Sequence, residues 1–206
     1  MKNIFCLTIL FYSVISLTGC QWHKVNNQNM TASKKALLVI AFDGFQDAEY
    51  SVTKNILTEA GIAVITTSTS LGTATGKFGA KVEIDNLISN ANVNDYNAVV
   101  FIGGPGAESM INDSVVQQLA IKANQEQKTL AAICVAPAIL AQAGILSGRE
   151  ATVWSSPQDQ EFVNILKNKN AKYLEQGVVV DGRFITANGP DVAKQFGEKI
   201  AEILNK

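Results

Sequence analysis

Continuous apolar runs alternate with stretches of helical spacing along most of this 206-residue chain. Residues 36–42 are unbroken Ala-Leu-Leu-Val-Ile-Ala-Phe, the pattern of a strand covered on both faces, and 48–60 follow with helical period ended by Gly61. The apolar run 62–66 completes a βαβ unit. The alternation then repeats as a strand over 98–102, a helix over 114–127, a strand over 130–133, and a helix-like stretch that begins with small residues at 135. Such repetition predicts an α/β domain with a mostly parallel sheet. The Gly- and Thr-rich segment 72–84 predicts a small hairpin, 178–186 predicts a second one around Asp181-Gly182, and 191–204 predicts a closing helix. The chain carries no internal repeat and no sign of a second folded domain. Of its four prolines, Pro105, Pro157 and Pro190 follow predicted strands and Pro137 lies just past one, which marks a single rim at the carboxyl ends of the sheet.

The first 34 residues break this pattern. After Lys2, residues 4–17 are apolar, too short a run to favour a spanning helix, and they lead into Leu17-Thr18-Gly19-Cys20. A secretory signal peptide over 1–19 is expected. The tetrad resembles the bacterial lipobox, which implies cleavage before Cys20 and a lipid on that residue; the alternative is an ordinary signal with an incidental cysteine. Residues 20–34 are polar and form a tether, leaving 35–206 as the domain. An exported protein held at the cell envelope follows, on the periplasmic side of the outer membrane in a cell that has one, since Gln21 stands where inner-membrane retention favours Asp.

Composition adds two exclusions. With 17 basic and 18 acidic side chains, and no basic stripe or set of stacking aromatics, nucleic acid is not an expected partner. The chain's one histidine, His23, lies in the tether, and the domain has one cysteine with scattered carboxylates, so no metal-ligand set is expected.

Once Cys6 leaves with the signal and Cys20 is acylated, Cys134 is the only thiol of the mature domain, and no internal disulfide is possible. Cys134 ends the run Leu130-Ala131-Ala132-Ile133 and precedes Val135-Ala136-Pro137, a strand–turn–helix elbow that presents its side chain beside backbone N–H groups. The residue is a candidate nucleophile or redox centre; a buried structural cysteine is the bland alternative. Gly103-Gly104-Pro105-Gly106 follows another strand, where its glycines permit close backbone approach, and with the Val135 N–H it offers an oxyanion hole. It lacks the lysine and hydroxyl of a phosphate loop and the spacing of a dinucleotide fingerprint. Glu49 falls in the first turn of the first helix, where it either serves the helix dipole or turns inward toward Cys134.

Taken together, Gly44-Phe45-Gln46-Asp47-Ala48-Glu49, Gly103-Gly104-Pro105-Gly106, Ala131-Ala132-Ile133-Cys134 with Pro137, and Ile185-Thr186-Ala187-Asn188-Gly189-Pro190 resemble the ThiJ/PfpI superfamily, which includes the parkinsonism-associated deglycase. The resemblance spans about 34–204 and implies a flavodoxin-like sandwich of the class I glutamine amidotransferase type, usually dimeric and without a cofactor. By position it makes Cys134 the nucleophilic, easily oxidised cysteine, Glu49 the buried acid beside it, and Gly104 and Val135 the backbone donors. Two departures stand out. Val135 occupies the place where protease-like members carry histidine, and Trp154-Ser155-Ser156-Pro157 stands where the deglycase branch tends to carry one. Gly103, Pro105, Trp154, Ser155, Ser156 and Asn188 are candidate pocket residues. The resemblance implies thiol chemistry on small reactive carbonyls, of the glyoxalase or deglycase kind, and an inward Glu49, when protonated, would donate a hydrogen bond to the thiolate and lower its pKa. An oxidative-stress sensor or holdase using oxidation of Cys134 is the alternative, and a peptidase lacks its histidine.

Overall fold

The computed structural model describes residues 34–206, so Cys6, Cys20, His23 and the signal and tether segments through residue 33 lie outside the described residues. Each apolar run expected to be a buried strand is one: β1 (Lys35–Val39), then β2 (Asp43–Phe45), α1 (Asp47–Glu59), β3 (Ala63–Ser68), the hairpin β4 (Gly72–Gly76) and β5 (Lys81–Ile84), and β6 (Asn86–Leu87). The chain continues through β7 (Ala98–Phe101), α2 (Pro105–Glu108), α3 (Ser114–Gln125), β8 (Thr129–Ile133), α4 (Pro137–Gln142) and β9 (Glu150–Ala151). It ends with α5 (Glu161–Asn168), β10 (Lys172–Tyr173), β11 (Val178–Asp181), β12 (Phe184–Ala187) and α6 (Ala193–Leu204).

Seven strands form the main sheet in the order β11-β12-β8-β7-β1-β3-β6, parallel throughout except for β11. Side-chain alternation assigns each strand two jobs. Leu37, Val39, Val99, Phe101, Leu130 and Ala132 face the layer that contains α3, α4 and α5, whereas Ala36, Leu38, Val100, Ala131, Ile133 and Ile185 face Leu57 of α1 and Phe196 and Ile200 of α6. This is the flavodoxin-like arrangement, an α/β fold with helices on both faces. After β1 the chain adds β3 on one side and then crosses to β7 on the other, so the loops following β1 and β7 part at a topological switch point, where open parallel sheets place their ligands.

Three departures have local causes. The second hairpin turns on Gly182 and Arg183, one residue later than Asp181-Gly182, because Asp181 still pairs with Phe184 and its carboxylate accepts from Glu150 N at 3.0 Å. Helix α5, with Phe162, Val163 and Leu166 buried, was not expected, since eight residues are too few to show a firm period. The small sheet β2-β4-β5 enlarges the first hairpin by pairing β4 with the loop after β1. Among the described residues no helix is long and apolar enough to cross a membrane.

Candidate functional site

Cys134 sits at the end of β8 with φ 63°, a left-handed conformation that L side chains adopt at a cost of about 1–3 kcal/mol. The surroundings hold it there: Cys134 N donates to Ala187 O at 2.9 Å, and Trp154 N donates to Cys134 O at 2.8 Å. The side chain is partly exposed, and Cys134 is a free thiol. Helix α4 starts only at Pro137, so the groups that favour a charged sulfur are the Val135 N–H of the turn and the Gly104 N–H of the loop after β7.

Glu49 projects inward from the first turn of α1, whose start is fixed by the Gln46 side chain accepting from Ala48 N at 3.1 Å. Glu49 is fully buried, which excludes a purely dipolar surface role. One carboxyl oxygen, Oε2, accepts from Gly103 N at 3.0 Å; the other, Oε1, has no well-formed hydrogen bond, and the Cys134 thiol is the side chain the carboxyl meets. A buried polar atom without a partner calls for an explanation, and a carboxyl that carries and releases a proton beside sulfur supplies one.

The glycine loop after β7 makes this approach possible. A Cβ on Gly103 would lie 2.5 Å from Cys134 Cβ and 2.9 Å from Glu49 Oε2. At Gly104, with φ 108°, it would lie 2.5 Å from Gln46 N. Gln46 N donates to Gly103 O at 2.9 Å, so the loop backs onto the loop after β1 and offers no open cradle for a phosphate or dinucleotide. Among the described residues no three His, Cys, Asp or Glu side chains cluster as metal ligands.

Burial sets the electrostatics. Desolvation pushes Glu49 up to about 7 against the favourable Gly103 hydrogen bond, contact with the Cys134 thiol and the Lys77 charge. Desolvation first, and then the charge on Glu49, push the Cys134 thiol up to about 12, opposed by the Gly104 and Val135 N–H groups. An ionised Glu49 opposes the thiolate, so the lowering expected from Glu49 requires its carboxyl to be protonated. The two groups titrate as a pair, which sheds one proton near 7 and the second only near 12. Between those values one proton remains on the pair, held mainly by sulfur, and the minor form with a carboxylic acid and a thiolate is the nucleophilic one.

Cys134 opens into a cavity of about 290 Å³ lined also by Gln46, Lys77, Gly104, Pro105, Glu108, Val135, Trp154 and Pro190, with Glu49 behind it. Trp154 walls it and meets Phe162 edge to face at 6.1 Å. Four expected pocket residues are not in the lining. Gly103 lies behind Cys134, holding Glu49. Ser155 reaches Tyr173 Oη at 3.5 Å, and Ser156 is used in its own turn, accepting from Asp159 N at 3.1 Å. Asn188 is exposed and contributes its backbone N–H to Gly177 O at 2.9 Å. The prolines likewise divide: Pro105 and Pro190 line the cavity, Pro137 is buried at the start of α4, and Pro157 is exposed outside the lining. Gln46, Lys77, Glu108 and Pro190 escaped sequence reasoning as lining residues. Gln46 and Pro190 lay inside recognised motifs, whereas Lys77 and Glu108 carried no signal beyond position near a turn.

Comparison with known proteins agrees with this architecture. Residues 34–203 match the model of the DJ-1/PfpI family. An uncharacterized protein of Methanocaldococcus jannaschii is 33% identical over 98% of this chain and 96% of its own length. A deglycase of Thermococcus kodakarensis is 30% identical over 75% and 90% of the two chains, and a glutathione-independent glyoxalase of Caenorhabditis elegans is 27% identical over 85% and 91%. The crystal structure of a ThiJ/PfpI domain protein from Brachyspira murdochii superposes with a TM-score of 0.79 at 35% identity, covering 84% of this chain and 97% of that one. With its sheet order, its cysteine elbow and a match across the whole described domain, the chain belongs to the DJ-1/PfpI family.

Proposed function

We propose that the protein is a cofactor-free thiol enzyme that converts small 2-oxoaldehydes to 2-hydroxy acids, with Cys134 as nucleophile and Glu49 as its proton partner. The observation that carries this reading is the fully buried Glu49 carboxyl behind a Cys134 that opens into a small cavity beside two backbone N–H groups. Family relatives named deglycase and glyoxalase support it.

The chemistry balances without an external oxidant. The Cys134 thiolate adds to the aldehyde carbon, the carbonyl π pair moves to oxygen, and the Gly104 and Val135 N–H groups hold the charge that develops there. Glu49 delivers its proton to that oxygen, giving a hemithioacetal and a carboxylate. The carboxylate then removes the proton on the former aldehyde carbon and returns it to the neighbouring carbonyl carbon through an enediol, while the hydroxyl proton on the first carbon's oxygen passes to the oxygen of the second. The first carbon is thereby oxidised to a thioester and the second reduced to an alcohol. Water hydrolyses the thioester, releasing the 2-hydroxy acid and the thiol pair. One acid/base group suffices, which is why the absence of a histidine from the described residues does not stop the cycle.

Methylglyoxal turnover by wild type and Cys134→Ser tests this: lactate formed only by wild type supports it, and equal or absent turnover in both overturns it. In the second case, stoichiometric sulfinic acid at Cys134 after peroxide would favour the redox reading, since the same N–H groups suit an oxyacid. We propose further that the protein is exported and held at the membrane by lipid on Cys20, supported by Leu17-Thr18-Gly19-Cys20, and that it acts as a homodimer. Loss of membrane fractionation in Cys20→Ser and light scattering of the domain test these two points.

A further inference from the structure

One polar side chain of the cavity lining is buried and only half used. Lys77 and Glu108 are exposed, whereas Gln46 is 8% exposed and still reaches the lining. Its backbone is held in both directions: Gln46 N donates to Gly103 O at 2.9 Å, and Gln46 O accepts from Tyr50 N at 3.1 Å. A Cβ on Gly104 would stand 2.5 Å from Gln46 N, so the residue abuts the loop whose Gly104 N–H favours a charged sulfur.

The side-chain amide has a defined orientation. Oε1 accepts from Ala48 N at 3.1 Å at the start of α1; turned the other way, the amide would set its NH2 against that N–H, donor to donor. The Nε2 end therefore faces away from the helix start, and its two N–H groups have no hydrogen-bond partner among the described residues. Glu49 Oε1 and Thr53 Oγ1 are the side-chain polar atoms that are sealed from solvent without a partner, so Nε2 is not sealed: it opens on the cavity that its residue lines. A buried residue that commits its acceptor to the fold and turns its donor to a cavity is arranged to meet an acceptor there.

We propose that Gln46 is a binding residue whose amide N–H groups hold an uncharged oxygen on the carbon next to the one Cys134 attacks, so that the site takes carbonyl compounds oxygenated at two adjacent carbons. The first oxygen lies with the Gly104 and Val135 N–H groups, and the second falls to this separate donor from the loop after β2. The substrate class rests on the function proposed above, in which the second oxygen is the ketone of a 2-oxoaldehyde; the amide donor in the cavity does not. Being neutral, the amide orients that oxygen and takes no proton from the reacting carbons.

Alkylation of Cys134 in the full chain, followed by intact mass, tests the donor apart from the reaction. Bromoacetone and methallyl bromide have nearly the same shape and form the same bond, Sγ to carbon with loss of bromide, but bromoacetone alone carries an oxygen on the next carbon. Their rate ratio cancels any change in the thiol's own reactivity. The ratio of bromoacetone to methallyl bromide is expected to fall about fivefold in Gln46→Met, which deletes both the cap and the donor. It should fall as far in Gln46→Glu at about pH 9, where an ionised carboxylate still accepts from Ala48 N and has no N–H to give. A ratio that moves in one variant alone, or in neither, overturns the assignment, because the missing N–H is what the two variants share. Methylglyoxal turnover then decides the substrate class. A kcat/KM that falls about fivefold in Gln46→Met beyond any change in methallyl bromide alkylation confirms it, and one that merely follows that alkylation rate overturns it. No turnover by wild type, alongside a ratio that falls in both variants, overturns the proposed reaction and leaves the donor standing.

Discussion

The floor and the rim of the cavity are built on different principles. The floor consists of Cys134 and Gly104, with Glu49 and Gly103 packed behind them, set by strand ends of the central sheet and by backbone hydrogen bonds at 2.9–3.0 Å. Its parts are buried or nearly so, and no side chain larger than hydrogen fits at Gly103. The rim consists of Lys77, Glu108 and Trp154, carried by a hairpin turn, a four-residue helix and a loop, each at least partly exposed. The floor decides what bond chemistry is available, and the rim decides which molecule comes to it. A rigid floor with exchangeable edges is how one fold supports different substrates.

The strongest way to break that division is at the nucleophile. Cys134→Ala should remove turnover by on the order of 10³-fold or more while leaving the fold intact, since it deletes the reacting atom and little packing; circular dichroism and a lactate assay check this, and residual activity near wild type would dissolve the distinction. Next comes the floor's geometry. Gly103→Ala forces a Cβ against Cys134 and against Ile133 O, 2.8 Å away, and should cost about 1–3 kcal/mol in urea unfolding together with most of the activity. An unchanged unfolding midpoint would show that the loop has slack.

Glu49 gives a test with a sign. Its folded pKa is raised from 4.5 to about 7, so between those values the native state holds more protons than the unfolded state, and stability falls as pH rises through this window. Glu49→Gln removes that loss: relative to wild type it should gain up to roughly 3 kcal/mol on going from pH 4 to pH 8. Parallel pH–stability curves for the two proteins would mean that the acid is not held protonated by the fold. At the rim, Trp154→Ala should raise KM several-fold with a smaller change in kcat, because it removes a wall and no reacting group. Smallest of all, Ser155→Ala and Ser156→Ala should leave kcat/KM within about twofold, as both hydroxyls face other protein groups and not the cavity.

What could be read from sequence divides along the same line. The floor was legible because strand ends, an elbow cysteine and closely packed glycines leave local marks: unbroken apolar runs, then Cys134 before small residues, then Gly103-Gly104 after a strand. The inward turn of Glu49 was not decidable from spacing, since the first turn of a helix accepts a carboxylate on either side; the resemblance favoured it and its complete burial shows it. How far burial raises both groups was not legible, because the cost of burying them depends on tertiary packing that no spacing displays. The rim was largely illegible. Lys77 reaches the cavity only because Asp47 clamps a turn 31 residues away in sequence, and Ser155 turns away only because Tyr173 stands nearby.

Every step proposed for the site depends on the electrostatic coupling of Glu49 and Cys134. Its most direct test is the rate of Cys134 alkylation by iodoacetamide from pH 5 to pH 10, in wild type and Glu49→Gln, followed by intact mass. The shared-proton account predicts a wild-type rate that rises through about pH 7 and then levels off, and a Glu49→Gln rate that lacks this step and climbs only at higher pH, as burial of a lone thiol requires. Identical profiles in the two proteins, with no step near pH 7, would contradict it.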